Sequence, residues 1–186
     1  AVWSSAARRS RCRSAAAVTW LARADVERTA EEGETRRGRR AVHSERIVKG
    51  GASGAQPFSE GGAAADGVGT FATSAKRVDG GWLINGKKIF ASLSGSADYY
   101  GVLCGEMKPG ERPSRKDTMY IAVPANAEGV EVVGDWDPLG MRGTVSRTLI
   151  FKDVFVDDDA QLMPRGIYYQ AASRLPHTFL NLSPTY

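Results

Sequence analysis

The sequence predicts a mainly β fold, a small antiparallel β-barrel or sandwich, on three observations. From Phe58 onward, short runs rich in β-branched and aromatic residues recur at close intervals. Strong turn signals separate them, among them Asp79-Gly80-Gly81 and Asn85-Gly86. No apolar run approaches the roughly 18 residues of a membrane-spanning helix.

Strands are expected at 68–78, 82–84, 87–91, 99–104, 118–123, 129–133 and 145–156. Asn85-Gly86 is expected to close a two-residue hairpin, because both central positions of that turn need positive φ. A Pro/Gly/Arg/Lys loop at 105–116 separates two strands, and the whole reads as a meander closing on itself. A short C-terminal helix is expected over 166–174, with Pro176 and Pro184 breaking the chain beyond it. Three segments result: a basic extension of low order at 1–57, a β domain at 58–160, and the start of a helical domain at 161–186.

Composition narrows the function classes. Hydrophobic residues at 42% and charged residues at 25% are ordinary for a soluble globular chain. The net charge of +4 is unevenly placed: residues 1–57 hold 12 basic and 6 acidic side chains, and the remainder holds 13 and 15. A basic surface on the folded part is therefore not implied, and neither is a nucleic-acid partner for it. Three readings of 1–57 stand side by side: a non-structural extension, with a shifted or mis-assigned reading frame as one source of it, a basic tail for nucleic acid or an acidic partner, or a helical remnant, with a short helix around 15–32. A signal peptide is not expected, because the one apolar run is short and broken. Cys12 and Cys104 form no spaced pair and His43 and His177 no ligand pair, so no metal site is predicted and a reducing, cytoplasmic setting is expected.

Several motifs then occur in order: Phe58-Ser59-Glu60, the stretch from Asp79-Gly80-Gly81 through Asn85-Gly86-Lys87-Lys88-Ile89-Phe90-Ala91-Ser92, Ala97-Asp98, and Leu139-Gly140-Met141-Arg142-Gly143-Thr144. They precede a closing Phe151-Lys152-Asp153-Val154-Phe155-Val156. In this order they resemble the acyl-CoA dehydrogenase family, over roughly the last two thirds of the chain. The resemblance implies the family's middle β-barrel domain, set between helical domains, with FAD between barrel and C-terminal helices.

Residue by residue, Ser59-Glu60 is similar to the family's Thr-Glu pair, which implies a Ser59 hydroxyl at the flavin pyrimidine edge. Lys88-Ile89-Phe90-Ala91-Ser92 resembles the KxWxT stretch, which implies the Phe90 ring against the isoalloxazine and the Ser92 hydroxyl near its reactive nitrogen. Strand alternation independently puts Phe90 and Ser92 on one face, although an ordinary core ring and a strand-end hydroxyl satisfy the same spacing. Ser94 is a candidate at the substrate entrance or a plain turn residue. Arg142 is a candidate phosphate partner or a solvated surface arginine. Trp82 and Trp136 are expected in the core or its cover.

The pattern also departs from the family. Gly61-Gly62-Ala63-Ala64-Ala65-Asp66 replaces the usual Pro-Gly and Ser-Asp continuation, and none of Glu60, Glu106, Glu111, Glu128 or Glu131 matches the context of the catalytic glutamate. No catalytic residue is therefore assigned. The resemblance implies a fragment of an FAD-dependent oxidoreductase of fatty acid metabolism. Its parent would convert an acyl-CoA to the trans-2-enoyl-CoA, as a homo-oligomer passing electrons to an acceptor. A related flavin monooxygenase, or a non-enzymatic β-barrel binding module with an Arg-rich tail, are the alternatives. The isolated chain is expected to be poorly soluble and to bind FAD weakly or not at all, because a barrel made to be covered by helices exposes apolar surface without them.

Overall fold

In the computed structural model, residues 50–61 and 70–174 are described. The expectations for 1–49, including the helix around 15–32, lie outside those residues. So do Cys12, His43, His177, the segment 62–69 and the two C-terminal prolines. Among the described residues, eight strands and one α-helix occur in order: β1 (Gly54–Ala55), β2 (Ser74–Val78), β3 (Gly81–Ala91), β4 (Tyr99–Met107), β5 (Thr118–Pro124), β6 (Val130–Val133), β7 (Arg147–Asp157), β8 (Gln161–Met163) and α1 (Ile167–Arg174). The mainly β class and the short C-terminal helix are as expected.

The topology is not a simple meander. The sheet runs β6-β7-β3-β2-β4-β5-β8, with β1 attached to β4, and its two ends do not pair. Two of the pairings, β2 with β4 and β1 with β4, are parallel. Closure comes from packing instead: Leu149, Phe151 and Val154 of β7 share one buried cluster with Met119, Ile121 and Val123 of β5. The inner strands explain their own burial. β4 and β5 read as nearly continuous apolar runs and are buried along almost their whole length, as strands covered on both faces must be. On the second face Leu103 and Tyr120 join Phe71, with Tyr168 and Tyr169 of α1 packed over them.

The expected Asn85-Gly86 hairpin is a correction. β3 runs straight through it, and the turn falls one signal earlier, at Asp79-Gly80 between Val78 and Gly81. Asn85 instead clamps a bulge in β7: its amide donates to Asp153 Oδ1 at 2.8 Å, and the Asp153 N–H donates back to Asn85 Oδ1 at 2.9 Å. Gly86 is needed beside it, because a Cβ there would lie 2.7 Å from the Thr73 backbone. The Asn-Gly pair serves a β-bulge, a use that local spacing does not distinguish from a turn.

Candidate flavin site

The end of β3 leaves regular geometry between Lys88 and Ala91, where the register against β7 shifts. Phe90 is the extra residue, at φ 52°. That bulge turns its ring outward, 64% exposed, while Lys88 and Ala91 on either side are fully buried. Simple alternation therefore does not operate through Phe90, although both Phe90 and Ser92 end up exposed.

The loop over 134–146 folds back over this point. The Trp136 ring meets Phe90 edge-on with centroids 6.3 Å apart, and Trp136 Nε1 donates to the Met141 carbonyl at 3.1 Å. The Thr144 hydroxyl donates to the same carbonyl at 2.9 Å and lies 2.7 Å from Ser146 Oγ. Ser146 Oγ is in turn 2.9 Å from Ser92 Oγ. Two backbone bonds seal the junction, Leu93 N–H to Thr144 O and Ser94 N–H to Val145 O. Among the described non-glycine residues at positive φ, Phe90, Leu93, Met141 and Val145 all belong to this junction. Such conformations concentrate where surrounding structure imposes them, commonly at functional sites.

A buried ion pair supports the site from below. Lys88 Nζ lies 2.6 Å from Glu60 Oε1 and donates to the Leu103 carbonyl at 2.7 Å, with both partners almost completely enclosed. Glu60 also accepts from the Ala72 N–H, the Thr73 N–H and the Thr73 hydroxyl. Burial alone would push the Glu60 carboxyl up, but the Lys88 charge and these donors together hold it below its ordinary value. Burial outweighs the carboxylate and pulls the Lys88 ammonium down. The adjacent Ser59 is half-buried, and its carbonyl accepts the Ile89 N–H at 2.8 Å. Ser59, Phe90 and Ser92 are thus carried by two segments tied together by the Glu60 and Lys88 pair.

The two substrate candidates stand differently. Ser94 is buried, and its hydroxyl donates to the Ala91 carbonyl, so it serves the turn after β3. Arg142 is exposed and paired with Asp137 in the covering loop. Trp82 is in the core, 2% exposed. The hydroxyls of Thr144 and Ser146 are not legible in the sequence as site residues: their two-residue spacing is common, and only the fold of the loop brings them to Ser92. Among the described residues no cluster of three or more metal-ligating side chains occurs, and no helix is long and apolar enough to cross a membrane.

The arrangement fits one face and one edge of a flavin ring. An aromatic ring held out of the core supplies an apolar face, and a hydroxyl beside it supplies hydrogen bonding.

Comparison with known proteins identifies the family. The acyl-CoA dehydrogenase middle domain matches residues 55–154. The oxygenase component of the FADH(2)-dependent resorcinol hydroxylase of Rhizobium sp. (strain MTP-10005) is 37% identical over 82 residues, 44% of this chain and 19% of its own length. The mitochondrial isovaleryl-CoA dehydrogenase of Arabidopsis thaliana is 29% identical over 121 residues, 65% of this chain and 29% of its own. FMN-bound TdsC from Paenibacillus sp. A11-2 superposes with a TM-score of 0.62 at 30% identity, over 72% of this chain and 32% of that one. The chain thus spans under a third of the length of these relatives. With more than half its residues matched by that domain, and with the same fold, the chain belongs to the acyl-CoA dehydrogenase family.

Proposed function

We propose that this chain supplies the barrel side of a flavin site in an FAD-dependent oxidoreductase. The observation that supports it is the junction itself, where Phe90, Trp136 and the hydroxyls of Ser92, Ser146 and Thr144 meet on strained backbone. When bound, the flavin would supply two-electron chemistry; the protein orients the ring and tunes its surroundings. In this reading Phe90 carries the ring face, Ser92 the hydrogen bond at the reactive edge, and Ser59 a second hydroxyl on the neighbouring segment. Arg142, on an exposed loop, is proposed for a phosphate of FAD or CoA.

For the parent enzyme we propose α,β-dehydrogenation of an acyl-CoA thioester in the cytoplasm, with a homo-oligomeric assembly and an electron acceptor. Residues 58–160 would form the body of the barrel domain, with β1 before it and β8 after it joined to the same sheet; 161–186 would begin the helical domain, and 1–57 would otherwise be an extension without assigned function. A second reading, flavin-dependent monooxygenation on the same scaffold, is favoured by one observation: identity is higher to the resorcinol hydroxylase, at 37%, than to the isovaleryl-CoA dehydrogenase, at 29%.

The test is a fluorescence-quenching titration of FAD with the protein encoded by the surrounding gene, which carries the rest of the flavin site. Phe90→Ala and Ser92→Ala should each weaken binding about fivefold or more, as loss of a stacking face or a hydrogen bond requires. Unchanged binding in both would remove the site. Between the two reactions, anaerobic mixing of the protein encoded by the surrounding gene with a panel of acyl-CoAs decides. Bleaching of the flavin supports dehydrogenation. No bleaching, with oxygen-dependent hydroxylation of an added aromatic, supports the second.

A further inference from the structure

We propose that Asn85 is a site of slow covalent modification: its side-chain amide is lost through a cyclic imide, a reaction that the clamp between β3 and β7 holds in check and whose products cannot rebuild that clamp. This stands apart from the flavin reading above. Glycine has no Cβ to shield its backbone nitrogen, so in a free chain the Gly86 nitrogen reaches the Asn85 Cγ readily. The step needs no oxidant and no cofactor. A bond forms between Gly86 N and Asn85 Cγ, the Cγ–Nδ2 bond breaks, and the Gly86 hydrogen leaves with the amide as ammonia. Water then opens the imide at either carbonyl. One opening leaves aspartate at position 85. The other leaves isoaspartate, whose chain runs through Cβ and is longer by that carbon.

The fold opposes ring closure at both reacting groups. Asn85 lies in the paired stretch of β3 opposite Ser74, and its carbonyl accepts the Ser74 hydroxyl at 3.3 Å. In a strand the side chain stands roughly perpendicular to the sheet, away from the backbone nitrogen that follows it. The Asn85 side chain is also tied at both polar atoms: Nδ2 donates to Asp153 Oδ1 at 2.8 Å, and Oδ1 accepts the Asp153 N–H at 2.9 Å. Gly86 is boxed in by Thr73, whose backbone lies 2.7 Å from where a Cβ would stand, which leaves the chain at 86 little room to swing. Asp153 holds its end from left-handed backbone at φ 48°, which aspartate tolerates better than most residues. The restraint is therefore local, one side chain and one N–H of β7.

The products lack what the clamp needs. An aspartate at 85 has no amide hydrogen to donate, and its carboxylate would face that of Asp153 at hydrogen-bond distance, where like charges repel. Isoaspartate adds a carbon to the chain three residues before Lys88, which must meet Glu60 at 2.6 Å. Pairing of β3 with β7 is already interrupted between Ile84 and Gly86, so an added atom there displaces the stretch from that point to Phe90. The modification thus ages the chain in one direction: each opening of β3 against β7 exposes Asn85 to a change that refolding does not undo.

The experiment follows the tryptic peptide Val78–Lys87, which holds no other asparagine, by mass spectrometry in the protein encoded by the surrounding gene. Samples are aged in mildly alkaline buffer, native and in denaturing urea. Amide loss in the native protein should be slower by about tenfold or more, the protection of a closed clamp. Asp153→Gly keeps the N–H but removes the carboxylate acceptor. It should raise the native rate about threefold or more and leave the rate in urea unchanged. Gly101→Ala loosens β4 instead and should leave the native rate within about twofold of wild type. Asn85→Asp should lower the urea midpoint, and adding Asp153→Asn, whose amide can donate to the new carboxylate, should restore about half of the loss or more. A smaller gap between native and unfolded rates, no amide loss in urea, or an Asp153→Gly rise that falls short or is matched by Gly101→Ala overturns the proposal. So does an Asn85→Asp midpoint equal to that of wild type. If Asn85→Asp does not fold, wild type aged in urea and returned to buffer replaces it: the refolded fraction should be depleted in the modified peptide, and equal amounts in refolded and aggregated fractions overturn the proposal.

Discussion

Removing the Lys88 ammonium should destabilise the fold far more than an ordinary loss of one contact. Lys88 is fully enclosed, donates to Glu60 and Leu103 O, and lies 4.5 Å from the centroid of the Phe71 ring. Lys88→Met keeps most of the side-chain volume but leaves the Glu60 carboxylate buried opposite nothing, with only Ala72 and Thr73 as donors. Breaking one side of a buried pair costs about 3–5 kcal/mol. Glu60→Gln should cost a similar amount, because the ammonium is then left without its counter-charge. The double variant meets neither penalty: the carbonyl oxygen of the introduced glutamine still accepts from the Thr73 or Ala72 N–H, and methionine fills the lysine volume. We predict that the double variant recovers at least about 2 kcal/mol relative to the sum of the singles, a coupling well above that of independent sites. Urea unfolding followed by the fluorescence of buried Trp82 measures all four proteins. Trimethylamine N-oxide can be added to each if the singles unfold in buffer. Single losses under about 1 kcal/mol, or losses that simply add, would refute the reasoning.

Four further outcomes are expected. The unfolded chain takes up a proton at Glu60 near the ordinary value of 4.5, and the folded chain does so only at lower pH. The stabilisation from that carboxylate is therefore complete above about pH 4.5 and is lost as pH falls through the folded value; a urea midpoint series from about pH 7 to about pH 3 should show a larger drop in wild type than in Glu60→Gln, which keeps the other paired carboxylates such as Asp117. Gly101→Ala drives a methyl into the buried Tyr120 hydroxyl and should destabilise by about 1–3 kcal/mol, read by the same unfolding. Met141→Gly relieves a left-handed backbone at an exposed side chain, so stability should rise by about 0.5–1 kcal/mol; thermal unfolding checks it. Cys104 is buried and its thiol is pushed up to about 12, so in a Cys12→Ser background it should react with a disulfide reagent at about pH 8 only as fast as the chain opens.

How far the sequence speaks for itself depends on how local the cause is. β4 and β5 are legible because burial on both faces requires apolar runs, and such runs are visible along the chain. The helix over Ile167–Arg174 is legible for the same kind of reason, coming after Pro164 and Gly166. The Asn85-Gly86 mismatch is of another kind. The pair has a strong local meaning, but here Asn85 answers Asp153, 68 residues away. Nothing within the segment marks that partner. Alternation puts Phe90 and Ser92 together, yet a bulge at Phe90 is what frees its ring. Lys88 belongs to a sequence motif that gives it no role, because only folding reveals that Glu60 sits opposite it.

Those two surprises are connected. Glu60 comes directly after Ser59, and Lys88 precedes Phe90 by two residues, so the ion pair lies between the two segments that carry the flavin candidates. The neighbouring bond from Ile89 N–H to Ser59 O ties the same two strips of backbone. A slip of one residue in either strip would separate an ammonium from a carboxylate in a nearly dry interior, a far larger penalty than losing an apolar contact. An apolar pair of equal volume would tolerate such a slip, since methylene contacts are largely interchangeable. The buried charges therefore act on register more than on stability. That predicts a separation in the double variant Glu60→Gln, Lys88→Met: its unfolding midpoint should lie near that of wild type, while FAD binding through Ser59, Phe90 and Ser92 weakens. If binding and stability recover together, the pair has no role in register beyond its own charge balance.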